Sequence, residues 1–299
     1  GNDVALQARN DLNNLGGLIG ATHSLALSAG RDLNVISSTR DSASEQGSRT
    51  QVSRIAGLFV SAPGATLRAS AGRDLNLDAA QVVNAGEDGT TQLVAGRDLN
   101  LGTVNESSQA SIRWDSSNWR KDASRGEVGS RIQAQGDVRL GAGHDLNARA
   151  ARVTSEAGAV VASAEHDIHL TTGENFRSAD EAHKVTGGNG MFSRKTTTTR
   201  DVTEETTAQG STFSGERTSM QAGHDLHVRG SNVVSTAGTT LLAGNDVTLE
   251  AASDSLYERH DKQVKKSGLF SGGGIALTIG TQQQGVDDRT TTRSAAAST

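Results

Sequence analysis

One short phrase recurs along this chain and restricts what it can fold into. Its clearest copy reads AGRDLNL at 71–77. It returns as AGRDLNV (29–35), AGRDLNL (95–101), AGHDLNA (142–148), AEHDIHL (164–170), AGHDLHV (222–228) and AGNDVTL (243–249). GNDVAL at 1–6 reads as a clipped copy. Reduced to small–Gly–x–Asp–apolar–x–apolar, the phrase is a turn followed by an alternating strand. Self-similarity of this kind implies stacked supersecondary units rather than one globular core.

Measured from the Gly slot of each copy (Gly1, Gly30, Gly72, Gly96, Gly143, then Glu165, Gly223 and Gly244), the intervals are 29, 42, 24, 47, 22, 58 and 21 residues. From Gly30 onward long and short alternate, so a plain coil is followed by one carrying an insertion. The plain coil at 71–95 can be read in full. Leu75 and Leu77 alternate with Asn76 and Asp78, 81–84 is a second short strand centred on Val82, and TTQLVA (90–95) is a third. Val153 and Val233 match Val82, while AVVASA (159–164) and TTLLA (239–243) match the third strand.

Three short strands per coil of about 21 residues, with Gly, Ala and Asn at the corners, predict an all-β fold, a right-handed parallel β-helix. Leu33, Leu75, Leu99, Leu146, Ile168, Leu226 and Val247 would form an interior ladder, with coils at the inter-strand spacing of about 4.8 Å. A β-sandwich or a set of hairpins does not require the same phrase at the same corner. No long 3.6-residue apolar period supports helices.

Composition agrees with a thin shaft. There are 35 Gly, one Pro, no Cys, five Phe, two Trp and one Tyr. A solenoid needs little aromatic volume because each coil touches only its neighbours. Without cysteine there is neither a disulfide framework nor a thiolate metal site. The 29 basic and 34 acidic residues are mixed along the chain, which argues against a nucleic-acid partner. No run of about 18 apolar residues predicts a membrane-spanning helix.

The chain reads as one repeat segment, 1–299, with insertions at about 37–67, 103–134, 172–220 and 253–296. Three carry Gly-apolar-Phe sequences: Gly57-Leu58-Phe59, Gly190-Met191-Phe192 and Gly268-Leu269-Phe270. The remaining one carries Trp114 and Trp119. The aromatics, late Phe213 and Tyr257 included, concentrate in these insertions. This marks Leu58, Phe59, Trp114, Trp119, Met191, Phe192, Leu269 and Phe270 as candidate interaction tips. Roots on every second coil lie about 9.6 Å apart, the width of a two-stranded hairpin. Neighbouring insertions are therefore expected to pair into an additional antiparallel sheet, helped by Thr-rich runs such as TTTTRDVTEETT (196–207).

The Asp of each phrase (Asp3, Asp32, Asp74, Asp98, Asp145, Asp167, Asp225, Asp246) forms a column that would suit acid–base catalysis or calcium binding in a sugar-cleaving β-helix. Its presence in every coil points instead to a structural turn, each carboxylate bonding backbone amides at its own corner and staying partly exposed. A catalytic site is needed only once, so no enzyme is expected. The His–x–x–His pairs, His166/His169 and His224/His227, point to opposite faces of a strand and cannot chelate. His144, His166 and His224 share a slot that holds Arg31, Arg73, Arg97 or Asn245 elsewhere, which reads as a polar surface position. SGGGIALTIG (271–280) lacks the Lys-Ser/Thr ending of a phosphate loop and reads as a hairpin reversal. No cofactor or small-molecule substrate is implied.

The AGRDLNL/AGHDLHV phrase, with KKSGLFSGGGIALTIGTQQQ and TTTRSAAAST towards the end, resembles the haemagglutinin repeats of filamentous haemagglutinin. It is more similar still to the exoproteins of bacterial contact-dependent growth inhibition. The resemblance covers essentially the whole chain. It implies a β-helical filament segment, exported by an outer-membrane partner transporter and displayed on the cell surface. Its insertion-bearing repeats would serve passage of a C-terminal toxin across the target-cell outer membrane. A passive adhesin shaft binding host or neighbour-cell ligands is the alternative. With coil ends at Gly1 and Thr299 lacking a polar cap, the parent chain is expected to continue both ways.

Overall fold

The phrase strands stack in register as one face of a parallel β-helix. They are Leu12–Leu15, Leu33–Ile36, Leu75–Asp78, the first residues of Leu99–Arg113, Leu146–Arg149, Ile168–Thr171, Leu226–Arg229 and Val247–Glu250. The computed structural model describes residues 1–188, 193–271 and 277–298. A second face stacks Leu18–Gly20, Gly57–Val60, Gln81–Asn84, Arg131–Ala134, Arg152–Ser155 and the leading parts of Thr212–Ala222 and Asn232–Ala243. The third runs from Asp3–Ala8 through Ser24–Ala29, Thr66–Ala71, Thr90–Ala95, Asp137–Ala142 and Val160–Ala164 to the trailing parts of the same two long strands.

The interior follows from the alternation. Leu33, Leu75, Leu99, Leu146, Ile168 and Leu226 are fully buried in one file. Val82, Ile132, Val153 and Phe213 make another from the second face, and Ala29, Ala71, Ala95, Ala142, Ala164 and Ala222 line the third corner. Val247, the last member of the first file, is exposed.

Two sequence expectations change here. Asp3–Ala8 belongs to the third face, paired with Ser24–Ala29, so Gly1–Leu6 is not a phrase copy and Asp3 is not in the aspartate column. The first phrase lies at 8–14, where Asp11 occupies the slot and Leu12 pairs with Leu33. Arg9-Asn10 disguises it by standing where the next copies have Gly-Arg. With this assignment plain and insertion-bearing coils alternate from the first coil.

The alternation is decided at one corner. After the phrase strand a plain coil turns through a left-handed residue: Gly16 (φ 65°), Ala79 (48°), Ala150 (47°) or Gly230 (51°). In the other coils the strand leaves the shaft at this corner as a hairpin arm. The arms are Ser38–Ser44 with Gly47–Arg54, 103–113 with Trp119–Gly129, Gly173–Gly187 with Ser193–Gln209, and Ala252–Ser271 with Leu277–Ala296. Buried serines close the shaft where an arm opens it. Ser37 Oγ donates to Ala79 O (2.7 Å), Ser130 Oγ to Leu77 O (2.6 Å) and Ser211 Oγ to Thr171 O (3.0 Å). In return the same hydroxyls accept the Ala56, Ala80 and Ala151 amides.

The arms are therefore shorter than the insertions delimited in the sequence. The stretches 57–67, 131–134 and 212–220 are shaft. They look like insertion because their apolar residues do not carry the phrase, yet each adds a rung to the second or third face.

Candidate functional site

The four arms form a single antiparallel sheet. Gly47–Arg54 pairs with the second arm through Thr50 and Ser107, the second with the third through Arg125 and Phe176, and the third with the fourth through Thr206 and Ser255. The arms lengthen along the chain, their strands growing from 7 residues (Ser38–Ser44) through 11 (Trp119–Gly129) and 15 (Gly173–Gly187) to 20 (Ala252–Ser271). Both faces of the sheet are accessible. Of its apolar residues beyond the roots, Ala182 alone is buried among those described. A single layer of this kind has no apolar core, so its order rests on cross-strand pairs and on anchorage at the shaft.

Glu127 supplies much of that anchorage. It accepts Arg149 Nε (2.6 Å) and Nη2 (2.5 Å) from the shaft, Thr103 Oγ1 (2.8 Å) from its own arm, and the Glu174 amide (3.2 Å) from the third arm. The Arg149 guanidinium holds its carboxyl below the usual range. Further out, Arg120 meets Asp122 and Glu181, Arg200 meets Asp180, Arg259 meets Asp261 and Arg289 meets Asp287. His260 Nδ1 lies 2.8 Å from Asp201 across the joint between the third and fourth arms, and that carboxylate raises the imidazole pKa. A polar groove of about 550 Å³ runs across the first three arms and reaches the third arm's outer strand, lined by Arg49, Glu106, Ser108, Asn175, Arg177 and Glu205 among others.

The proposed tips separate. Leu58 is buried in the shaft and Phe59 beside it points outward from the second face, paired with Val83, so neither is at a tip. Phe213, counted with the insertions, is the largest fully buried side chain of the core. Trp114 does sit at the end of the second arm, exposed, its ring 6.1 Å from that of His183. Trp119 opens the returning strand beneath Lys121 Nζ (5.1 Å) and Arg200 (5.8 Å). Met191 and Phe192 lie outside the described residues, as do the side chains of Leu269 and Phe270.

On the shaft, Asp32, Asp74, Asp98, Asp145, Asp167 and Asp225 each accept the backbone amide of the Asp one coil on, at 2.9–3.4 Å. Asp246 ends the series as a donor. The bonds thus tie coil to coil instead of closing their own corners. Asp32 and Asp74 are also buried, because cations interleave the column: Arg73 bridges Asp32 and Asp74, and Arg97 bridges Asp74 and Asp98. The Arg73 guanidinium holds the Asp32 carboxyl below the ordinary range. An asparagine ladder beside it went unnoticed in the sequence. Asn34, Asn76, Asn100 and Asn147 each donate Nδ2 to the Asn of the coil before, at 2.7–3.0 Å. The Asn two places after Asp11, Asp32, Asp74, Asp98 and Asp145 is its sequence signal.

In the later coils histidines replace the arginines. His144 and His166 stack at 4.7 Å and His166 and His224 at 5.1 Å, each with Nδ1 near two carboxylates. His144, Asp145 and His166, and likewise His166, Asp167 and His224, bring ligand atoms within 4.8 Å. The rings lie 13° and 3° from parallel, and the Nδ1 atoms of His144 and His166 both lie 3.1 Å from Asp145 Oδ1. The arrangement suits hydrogen bonding between coils.

The hemagglutinin-repeat family model matches residues 110–201 and 192–298. The chain is 35% identical over 297 residues to the "tRNA nuclease CdiA" of Escherichia coli (strain STEC_O31), covering 98% of this chain and 9% of that protein. It is 36% identical over 272 residues to the "Deoxyribonuclease CdiA" of Dickeya dadantii (strain 3937), covering 89% and 8%. A third relative, the "16S rRNA endonuclease CdiA" of Enterobacter cloacae subsp. cloacae, is 33% identical over 199 residues, 64% of this chain and 6% of its own. The chain thus spans less than a tenth of the length of these relatives. No solved structure matches it.

Proposed function

The chain belongs to the hemagglutinin-repeat family, and we propose that it is a non-catalytic scaffold of an exported surface exoprotein whose arm sheet engages the target-cell outer membrane during toxin delivery. The carrying observation is the division into two units. A shaft buries its apolar residues internally, while a single-layer sheet of lengthening arms stands beside it with both faces open. The shaft supplies reach and rigidity, and the arms supply contact area. The relatives support the carrier role through what they do not share. Their names specify tRNA, DNA and 16S rRNA as targets, while one segment of similar sequence recurs in all three. A part common to proteins of different nuclease specificity is suited to transport. On this reading the parent is a secreted, cell-surface protein with an outer-membrane partner transporter, and the nuclease activity lies outside this segment.

The rival reading, an adhesive shaft, draws on the polar groove lined by Arg49, Glu106, Arg177 and Glu205. Deleting 174–208 from the full-length parent separates the two. This cut removes the third arm and leaves Ser211 and Phe213 in the shaft, whereas a cut extending to 220 would remove core. Surface display and adhesion retained with toxin entry abolished is the expected result. Entry retained with adhesion lost would overturn the delivery reading.

A further inference from the structure

The charge balance hides a local excess. Residues 184–200 and 262–286 together hold seven Lys and Arg (Lys184, Arg194, Lys195, Arg200, Lys262, Lys265, Lys266) and no Asp or Glu, leaving 22 basic against 34 acidic residues elsewhere. The two stretches are over sixty residues apart in sequence and look unremarkable there. The sheet makes them neighbours, because they are the distal halves of the third and fourth arms, paired from Arg200 opposite Asp261 to Ser193 opposite Gly268.

Nearer the shaft, Arg120, Arg200, Arg259 and Arg289 are matched by carboxylates. Beyond that zone Arg194, Lys195, Lys262, Lys265 and Lys266 are exposed, and none has an ion-pair partner among the described residues. Lys195 stands directly opposite Lys266 in the register. Like charges facing each other across two strands destabilise a sheet. Such a local conflict is expected where a site waits for a ligand of opposite charge. A groove of about 500 Å³ opens at this point, lined by Lys195, Lys266, Arg194, Thr197 and Val185, with Gly187, Gly188 and Gly268 contributing no side chains. Val185 at its edge and Ile279 on the fourth arm are exposed aliphatic residues.

We propose that this distal surface of the third and fourth arms docks on an anionic membrane, Lys195 and Lys266 holding the phosphate of a lipid headgroup in the groove while Val185 faces the acyl boundary. The proposal rests on the delivery reading and gives its membrane contact a chemistry. Charge complementarity selects the occupant. Strand alternation puts Lys195, Lys262 and Lys266 on one face of the sheet with Val185, and three cations beside an aliphatic side chain match a phosphate-rich apolar interface, on which each Lys or Arg near the surface contributes about a fivefold gain in affinity.

The test is co-sedimentation of the chain with phosphatidylcholine vesicles made with and without phosphatidylglycerol. Binding is expected only with phosphatidylglycerol, and it should weaken as salt is raised. Lys195→Gln should weaken it about fivefold and the Lys195→Gln/Lys266→Gln pair about 25-fold, while Lys195→Arg/Lys266→Arg retains it. The Gln pair should also unfold no more easily than the unmodified chain, since it relieves the facing charges. A merely structural role for the lysines predicts the opposite. Equal binding to pure phosphatidylcholine, undiminished binding by the Gln pair, or complete displacement by inorganic phosphate or duplex DNA at matched ionic strength would each overturn the proposal. The same substitutions in the full-length parent test delivery separately. Vesicle binding by the native chain, with entry that survives deletion of 174–208, sinks the delivery reading alone. Entry that needs the arms without any vesicle binding sinks the lipid contact alone.

Discussion

Asp32→Ala isolates what the aspartate column contributes. Asp32 Oδ1 accepts Arg73 Nε at 2.8 Å and the Asp74 amide at 3.4 Å, with Arg73 Nη2 at 2.5 Å from Oδ2. Arg73 is about half exposed, so solvent screens most of the ion pair and its share is small. The loss is dominated by the acceptor taken from a buried inter-coil amide, and is about 1 kcal/mol. Asp32→Asn keeps an oxygen for that amide and should cost less than half as much. Asp3→Ala, outside the column, should be silent. Urea unfolding followed by circular dichroism measures the totals, and amide exchange at Asp74 and its neighbours locates them, as stability in a stacked array is local. The pH dependence has a fixed sign. Arg73 depresses the folded-state pKa of Asp32, so the stabilisation is full above the unfolded value of about 3.9 and is lost as pH falls through the lower folded value. The difference between the native chain and Asp32→Ala should be flat from neutrality down to about pH 4 and shrink below it. An Asn variant as unstable as Ala, or an Asp3→Ala variant as costly as either, would refute the inter-coil assignment.

Other outcomes follow from single sites. Phe213→Ala should cost about 3–5 kcal/mol in urea unfolding, and Phe213→Val much less, because Val153 and Val233 hold the same position on the flanking coils. Thr91→Val should stabilise by about 1 kcal/mol, since the buried Thr91 hydroxyl has no hydrogen-bond partner among the described residues while Leu67 and Val138 are its register neighbours. An NMR titration should place His260 above the ordinary histidine value, with Asp201→Asn returning it. Because that pKa is raised, its contribution to the joint between the third and fourth arms is full below about pH 6.5 and fades as pH rises through the folded value. Removing the fourth arm (252–296) should speed amide exchange along Ser193–Gln209, whose outer edge it covers, and leave the shaft protected.

The sequence by itself determined the shaft. The phrase, its apolar alternation and the three-strand coil are readable because a stacked coil repeats the same local solution, with side chains at every second position facing the core. It also determined that arms leave alternate coils, since an arm replaces a corner that otherwise needs a left-handed residue such as Ala79 or Ala150. The tertiary structure decided where each arm ends. Leu58 and Phe213 look like insertion residues by neighbourhood, and only the stacking of Gly57–Val60 on Gln81–Asn84 and of 212–214 on Arg152–Ser155 returns them to the shaft. It likewise placed the first phrase at Asp11, through pairing of Leu12 with Leu33 and not through any likeness of letters. The candidate site was the least legible part. Lys195 meets Lys266 because two hairpins rooted two coils apart pair edge to edge over fourteen positions. Register between distant hairpins is fixed by the height at which the shaft releases them. No local pattern in either segment encodes that height.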